Sequence, residues 1–114
     1  MKIKTSELKG NALDWAVAKC EGKLTEWIND TSTGTVYKAP NNYYPSTDWA
    51  LAGPIIEREK ISSCIDYIGL GNEWNSETHN CKVQTTGPTP LISAMRCYVA
   101  SKLGDEVEIP KELS

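Results

Sequence analysis

Three features of this chain predict an α+β fold: a small antiparallel sheet with helices near both ends packing on it, in the manner of an alpha-beta-alpha sandwich. A helix marked at both ends lies late in the chain, opened by Thr89-Pro90 and stopped at Gly104. A second helix lies early, between Asn11 and Gly22. The residues between them alternate short strand-like runs with turn chemistry. With 114 residues, one core suffices, and residues 1–108 are expected to form a single domain followed by a short tail over 109–114.

Ile3 marks a short edge strand before Gly10. Asn11 is expected to cap the first helix, with Asp14 completing a box-like arrangement, while Leu13, Ala16, Val17 and Cys20 recur on one face. Lys23 to Ile28 and Thr35 to Lys38 read as a hairpin around the turn residues Asn29 to Gly34. Pro40, Asn41, Asn42 and Pro45 then impose an irregular loop, after which Ser46 or Thr47 caps a short helix that stops at Gly53-Pro54. A new helix with Pro54 at its first position runs to Ile61. Between residues 62 and 86 the alternation of Cys64, Asp66 and Ile68 predicts a strand, Gly69 to Gly71 a turn, and His79 to Gln84 the partner. On the last helix, Ile92, Met95, Val99 and Leu103 form one stripe, widened by Leu91 and Tyr98, with Arg96 at its border. The acidic residues after Gly104 read as a frayed tail.

A composition of 39% hydrophobic and 24% charged residues is that of an ordinary globular chain, which removes disorder from consideration. A net charge of -3 and a pI near 5.1 argue against a stable nucleic-acid complex, which needs a basic face. No apolar run has the length of a signal peptide or a bilayer span, so no membrane association is expected and the host cytoplasm is the expected location. Cys20, Cys64, Cys81 and Cys97 show no Cys-x-x-Cys pair, and His79 is the single histidine; reduced, buried or half-buried thiols are expected, with no metal and no cofactor. Asn29-Asp30-Thr31 is taken as a turn.

No catalytic residues are assigned. A Ser-His-Asp or Cys-His arrangement would have to be built around His79 by the fold alone, Glu57 and Glu59 point in different directions on a helix, and no phosphate-binding loop or dinucleotide fingerprint occurs.

Four segments in order, Leu13-Asp14-Trp15-Ala16-Val17-Ala18, Pro45-Ser46-Thr47-Asp48-Trp49-Ala50, Gly53-Pro54-Ile55-Ile56-Glu57-Arg58-Glu59, and Gly87-Pro88-Thr89-Pro90-Leu91-Ile92 with Ala94-Met95-Arg96, resemble the NinX family of tailed-phage proteins. The resemblance spans about residues 3 to 108. Leu51-Ala52 departs from the polar and glycine pair usual before Gly53-Pro54, and residues 62 to 86 match no motif. The family occurs in accessory regions of lambdoid phages and prophages and is a domain of unknown function, so the resemblance implies an origin rather than a mechanism. The Ser-Thr-Asp segment with its later helix is also similar to the phage alpha-beta-alpha sandwich group.

A binding role fits these residues. Tyr43, Tyr44, Trp49 and Trp74 lie in loop-like surroundings where flat rings can stack on a base, and two capped helix starts with Arg96 can hold phosphates. Tyr44, Ser46, Thr47, Asp48, Trp49, Thr89 and Arg96 are the candidate ligand-binding residues. The first helical turn after Thr89 carries no carboxylate. The expected function is non-catalytic sequestration of a nucleotide-type host defence signal, by analogy with small phage proteins that do this; the alternative is an adaptor or inhibitor that binds a host protein. A homo-oligomer is expected, since so short a chain builds a deep pocket more easily between subunits. The competing structural reading of Arg96 is a pairing with Glu57 or Asp48 along the core edge.

Overall fold

A computed structural model describes residues 2–24, 26–30, 34–40, 42–65, 73–79 and 82–110, with backbone alone for the hairpin strands of 26–38. The described part is α+β: three α-helices with small antiparallel sheets, as the sequence predicts.

Helix α1 (Gly10–Glu21) buries Leu13, Ala16, Val17 and Ala18 and ends at Gly22, whose φ of 71° only a glycine adopts without strain. Its start differs from expectation. Lys9 occupies the cap position and makes no side-chain bond, and Asn11 lies within the first turn. The Asp14 carboxylate does not reach back to the helix start but is buried, where it accepts a hydrogen bond from Ser46 N at 2.8 Å.

Helix α2 (Trp49–Glu59) runs unbroken through Gly53-Pro54, so the expected stop and restart there are corrected. Asp48, and neither Ser46 nor Thr47, caps it by accepting from Ala50 N at 2.9 Å. A proline inside a helix removes one N–H and crowds the preceding residue. Gly53 relieves that crowding, since it has no Cβ to meet the proline ring, and the Ala50 carbonyl left without its helical donor lies on an exposed residue.

Helix α3 (Pro90–Leu103) forms the middle of the molecule. Thr89 caps it by accepting from Ile92 N at 3.1 Å, Pro90 takes the first position, and Gly104 leaves the helix with φ 88°. One side packs on α1 and α2 through Leu91, Ala94, Met95 and Tyr98. The other packs on strands β4 (Ser62–Ile65), β5 (Trp74–Glu77) and β6 (Gln84–Gly87), paired antiparallel in that order. Ser93, Ala94 and Cys97 are therefore fully buried, whereas Ile92 and Leu103 of the expected stripe are half-buried. The partner of β4 is the segment around Trp74, not His79 to Gln84; Thr78 N instead donates to Val83 O at 3.1 Å, extending the pairing of β5 with β6.

The sheet meets α3 through hydroxyls. Ser93 Oγ donates to Ser76 Oγ at 2.7 Å, Ser63 and Ser76 hydroxyls share a 2.7 Å bond, and Thr85 Oγ1 donates to Ser93 O at 2.8 Å. Gly87 permits this closeness, because a Cβ there would lie 2.8 Å from Ser93 N.

Strands β2 (Glu26–Asp30) and β3 (Gly34–Lys38) pair as the expected hairpin with Trp27 opposite Tyr37, but the ladder also takes in Asn29, Asp30 and Gly34, which were expected in the turn. Strand β1 (Lys2–Lys4) pairs with β7 (Glu106–Glu108), so residues 106–108, expected in a frayed tail, form a strand, and Val107 and Ile109 complete the core. Residues 111–114 of the expected tail, and the expected strand and turn over 66–71, lie outside the described residues.

Candidate functional site

The loop before α2 gathers five of the seven sequence-predicted site residues. Tyr43 N donates to Pro40 O at 3.0 Å and Thr47 N to Tyr44 O at 3.1 Å, folding the chain into consecutive turns. Asp14 then fastens the loop to α1 through Ser46. Burial pushes the Asp14 carboxyl above its ordinary value, against the opposing effect of the hydrogen bonds from Ser46. Tyr43, half-buried against the core, has its phenol pushed up to about 12 by burial and by the negative charges of Glu21 and Asp14.

Such anchoring turns two rings outward. Trp49 is 58% and Tyr44 45% exposed, and they are the exposed large hydrophobic residues among those described. At helical spacing, Ala50, Gly53 and Pro54 continue from Trp49 along the open side of α2, and a Cβ on Gly53 would meet nothing within 4 Å. The result is an uncharged strip, bordered by Asp48, Glu57 and Lys60. Ser46 is buried and spends its N–H inside the molecule; Thr47 is exposed, its hydroxyl turned to Tyr44 O at 3.4 Å; Asp48 is half-buried, its carboxylate accepting from Ala50 N in the first turn of α2.

Thr89 and Arg96 lie elsewhere on α3. The Thr89 hydroxyl is occupied as a cap. Arg96 pairs with neither Glu57 nor Asp48: Nε donates to Leu8 O at 2.7 Å and Nη1 to Thr86 O at 2.8 Å, tying the chain before α1 to β6. Its partial burial lowers its pKa, offset by the charges of Glu73 and Glu7. Among the described residues no hydrogen bond or ion pair joins Thr89 or Arg96 to the Tyr44–Trp49 loop.

Sequence reasoning missed the polar cluster where the three helices end. Arg58 forks onto Glu21 at 2.6 and 3.1 Å, reaches Glu59 at 2.8 Å and donates to Tyr98 Oη at 3.2 Å, while Tyr98 Oη donates to Glu21. Lys102 reaches Glu59 at 3.2 Å. Arg58 holds the Glu21 and Glu59 carboxyls below their ordinary values, while burial and Glu21 raise the Tyr98 phenol. The signal was a basic residue in the last turn of α2 and of α3, Arg58 and Lys102, each paired with an acidic residue of a neighbouring helix.

Burial pushes the Cys20 and Cys97 thiols up to about 11, which keeps them protonated and unreactive, whereas Cys64 is exposed rather than buried as expected. His79 is exposed and Cys81 lies outside the described residues. Among the described residues no group of three His, Cys, Asp or Glu side chains could hold a metal ion, and no helix is long and apolar enough to cross a membrane.

A small α+β protein with a preformed aromatic edge and a helix core joined to its sheet by hydroxyls is the class that fold and site define. The family model described as Bacteriophage P22, NinX matches residues 4–102, and the chain belongs to that phage family. No curated protein matches the chain.

Proposed function

We propose that this phage protein is a non-catalytic binding module that docks on a host protein through the Tyr44–Trp49 edge and the open side of α2. The observation that carries the reading is the exposure of Trp49 on a loop fixed by the Asp14–Ser46 bond. Aromatic rings held rigid before binding lose little entropy on contact, and an uncharged centre with a charged border is the composition of a protein-binding hot spot.

Sequestration of a nucleotide-type signal is the second reading, favoured by the two flat rings beside a helix start. The groups assigned to phosphates are, however, engaged within the chain: Asp48 and Thr89 as caps, Arg96 on two carbonyls.

Purification from bacterial cells followed by native mass spectrometry tests both, and its mass also reports the oligomeric state. A stoichiometric host chain that is lost with Trp49→Ala, while the melting temperature is unchanged, supports docking. A nucleotide released on denaturation from a chain carrying no host protein overturns it in favour of sequestration.

A further inference from the structure

The aromatic edge is acidic as well as apolar. From residue 39 to residue 57 the chain holds two carboxylates, Asp48 and Glu57, and no lysine or arginine. The bases that follow are placed elsewhere. Arg58 is committed to Glu21 and Glu59, and Lys60 caps the far end of α2, about 16 Å from Trp49 along the helix at 1.5 Å per residue. Asp48 lies in the chain between the two exposed rings, after Tyr44 and next to Trp49. Its Oδ1 accepts from Ala50 N, and among the described residues the carboxylate makes no ion pair and its second oxygen takes no hydrogen bond. A carboxylate has room for several donors, so that second oxygen can serve a guest without breaking the cap. The positive end of a helix dipole amounts to about half a charge, so a full carboxylate at the cap leaves this end of α2 negative.

We infer that the docking partner contributes an arginine at this point: its guanidinium stacks on the Trp49 ring and donates to the second oxygen of Asp48. Ring faces and a carboxylate both attract a cation and both repel a phosphate. Between the two protein cations, guanidinium is the flat one, able to lie on an indole while its edge bonds a carboxylate, and it sheds water more readily than an ammonium. Arginine is also a residue enriched at the centre of protein interfaces. The inference rests on the docking reading and adds the chemistry of the partner, a basic surface with an arginine at the contact.

The test titrates N-acetylarginine amide into the whole protein at constant ionic strength and follows the tryptophan indole N–H signals by NMR. The signal that Trp49→Ala removes should move with arginine. N-acetylcitrulline amide keeps the flat shape and loses the charge, and should bind about two- to fivefold more weakly. Asp48→Asn keeps an acceptor at the cap, so the helix and the melting temperature hold, and it should weaken the arginine response by a similar factor of about two to five. Inorganic phosphate should leave the Trp49 signal in place. A Trp49 signal that ignores arginine, answers citrulline equally, keeps its arginine affinity in Asp48→Asn, or moves with phosphate instead overturns the inference. None of these outcomes decides host docking itself, which stands or falls on a stoichiometric host chain that is lost with Trp49→Ala.

Discussion

Replacing Arg96 by alanine separates the two roles that its position in the sequence allows. The Nε bond ends on the carbonyl of Leu8, a residue only 1% exposed, so the variant leaves an acceptor with little access to water. A hydrogen bond from a charged donor contributes about 1.5–3 kcal/mol in such a setting, and the more exposed bond to Thr86 O adds about 0.5–1 kcal/mol. The sum, about 2–4 kcal/mol, is a large share of the roughly 5–15 kcal/mol that holds a domain folded. For a chain of this size a loss near 3 kcal/mol lowers Tm by roughly 10–15 °C. Urea titrations of Arg96→Ala and Arg96→Lys, followed by tryptophan fluorescence, measure it. Lysine cannot fork between two carbonyls and should recover only part of the loss. A cost for Arg96→Ala below about 0.5 kcal/mol, the level of an ordinary surface change, would refute the strut and return Arg96 to the pool of ligand-binding groups.

Gly87→Ala should cost about 1–3 kcal/mol in the same titration, because its Cβ would meet backbone Ser93 N at 2.8 Å and neither partner can yield without moving α3 from the sheet. Pro54→Ala should raise stability by about 1–3 kcal/mol, restoring a donor to the Ala50 carbonyl; a loss instead would show that proline contributes more through the unfolded chain. Acid should destabilise the wild type through Glu21 and Glu59: their folded pKa values are depressed below the ordinary 4.5, so their contribution is present above that value and is lost as pH falls through the folded values. Asp14 has the opposite sign. Its raised folded pKa favours the folded state most below 3.8, an advantage lost as pH rises through the folded value, so Asp14→Asn should flatten that opposing slope in urea melts recorded across acid pH. An acid limb unchanged in Glu21→Gln would count against the Arg58 fork as its source.

The parts legible in the sequence were those fixed by local backbone chemistry. Thr89, Pro90 and Gly104 define α3 because a cap, a missing N–H and a positive φ act within one turn. Gly22 ends α1 for the same reason. What misled was chemistry whose partner is distant. Asp14 has the spacing of a capping box, but the Ser46 N–H 32 residues away competes for its carboxylate. Pro54 looks like a break, yet packing of Ala52 and Ile55 into the core holds the helix across it. On α3 an apolar stripe at helical spacing showed only the side that meets α1 and α2. The sheet side carries Ser93 and Cys97, whose small or polar character disguises their burial. For the site, the aromatic loop was legible because rings beside proline and asparagine have few ways to be covered. Arg96 was not, because its acceptors are backbone carbonyls, which every sequence contains and none advertises.

These differences bear on where binding could arise. A group already satisfied inside the chain can serve a ligand only by breaking its present bond, so its contribution to affinity is reduced by what that bond was worth. Arg96, Thr89 and the Oδ1 atom of Asp48 are all in that position, although each looked available in the sequence. Trp49 is not: its ring is exposed on a fixed loop, a surface suited to polypeptide rather than to phosphate. The Asp14–Ser46 bond then serves binding indirectly, because it fixes the aromatic loop before contact.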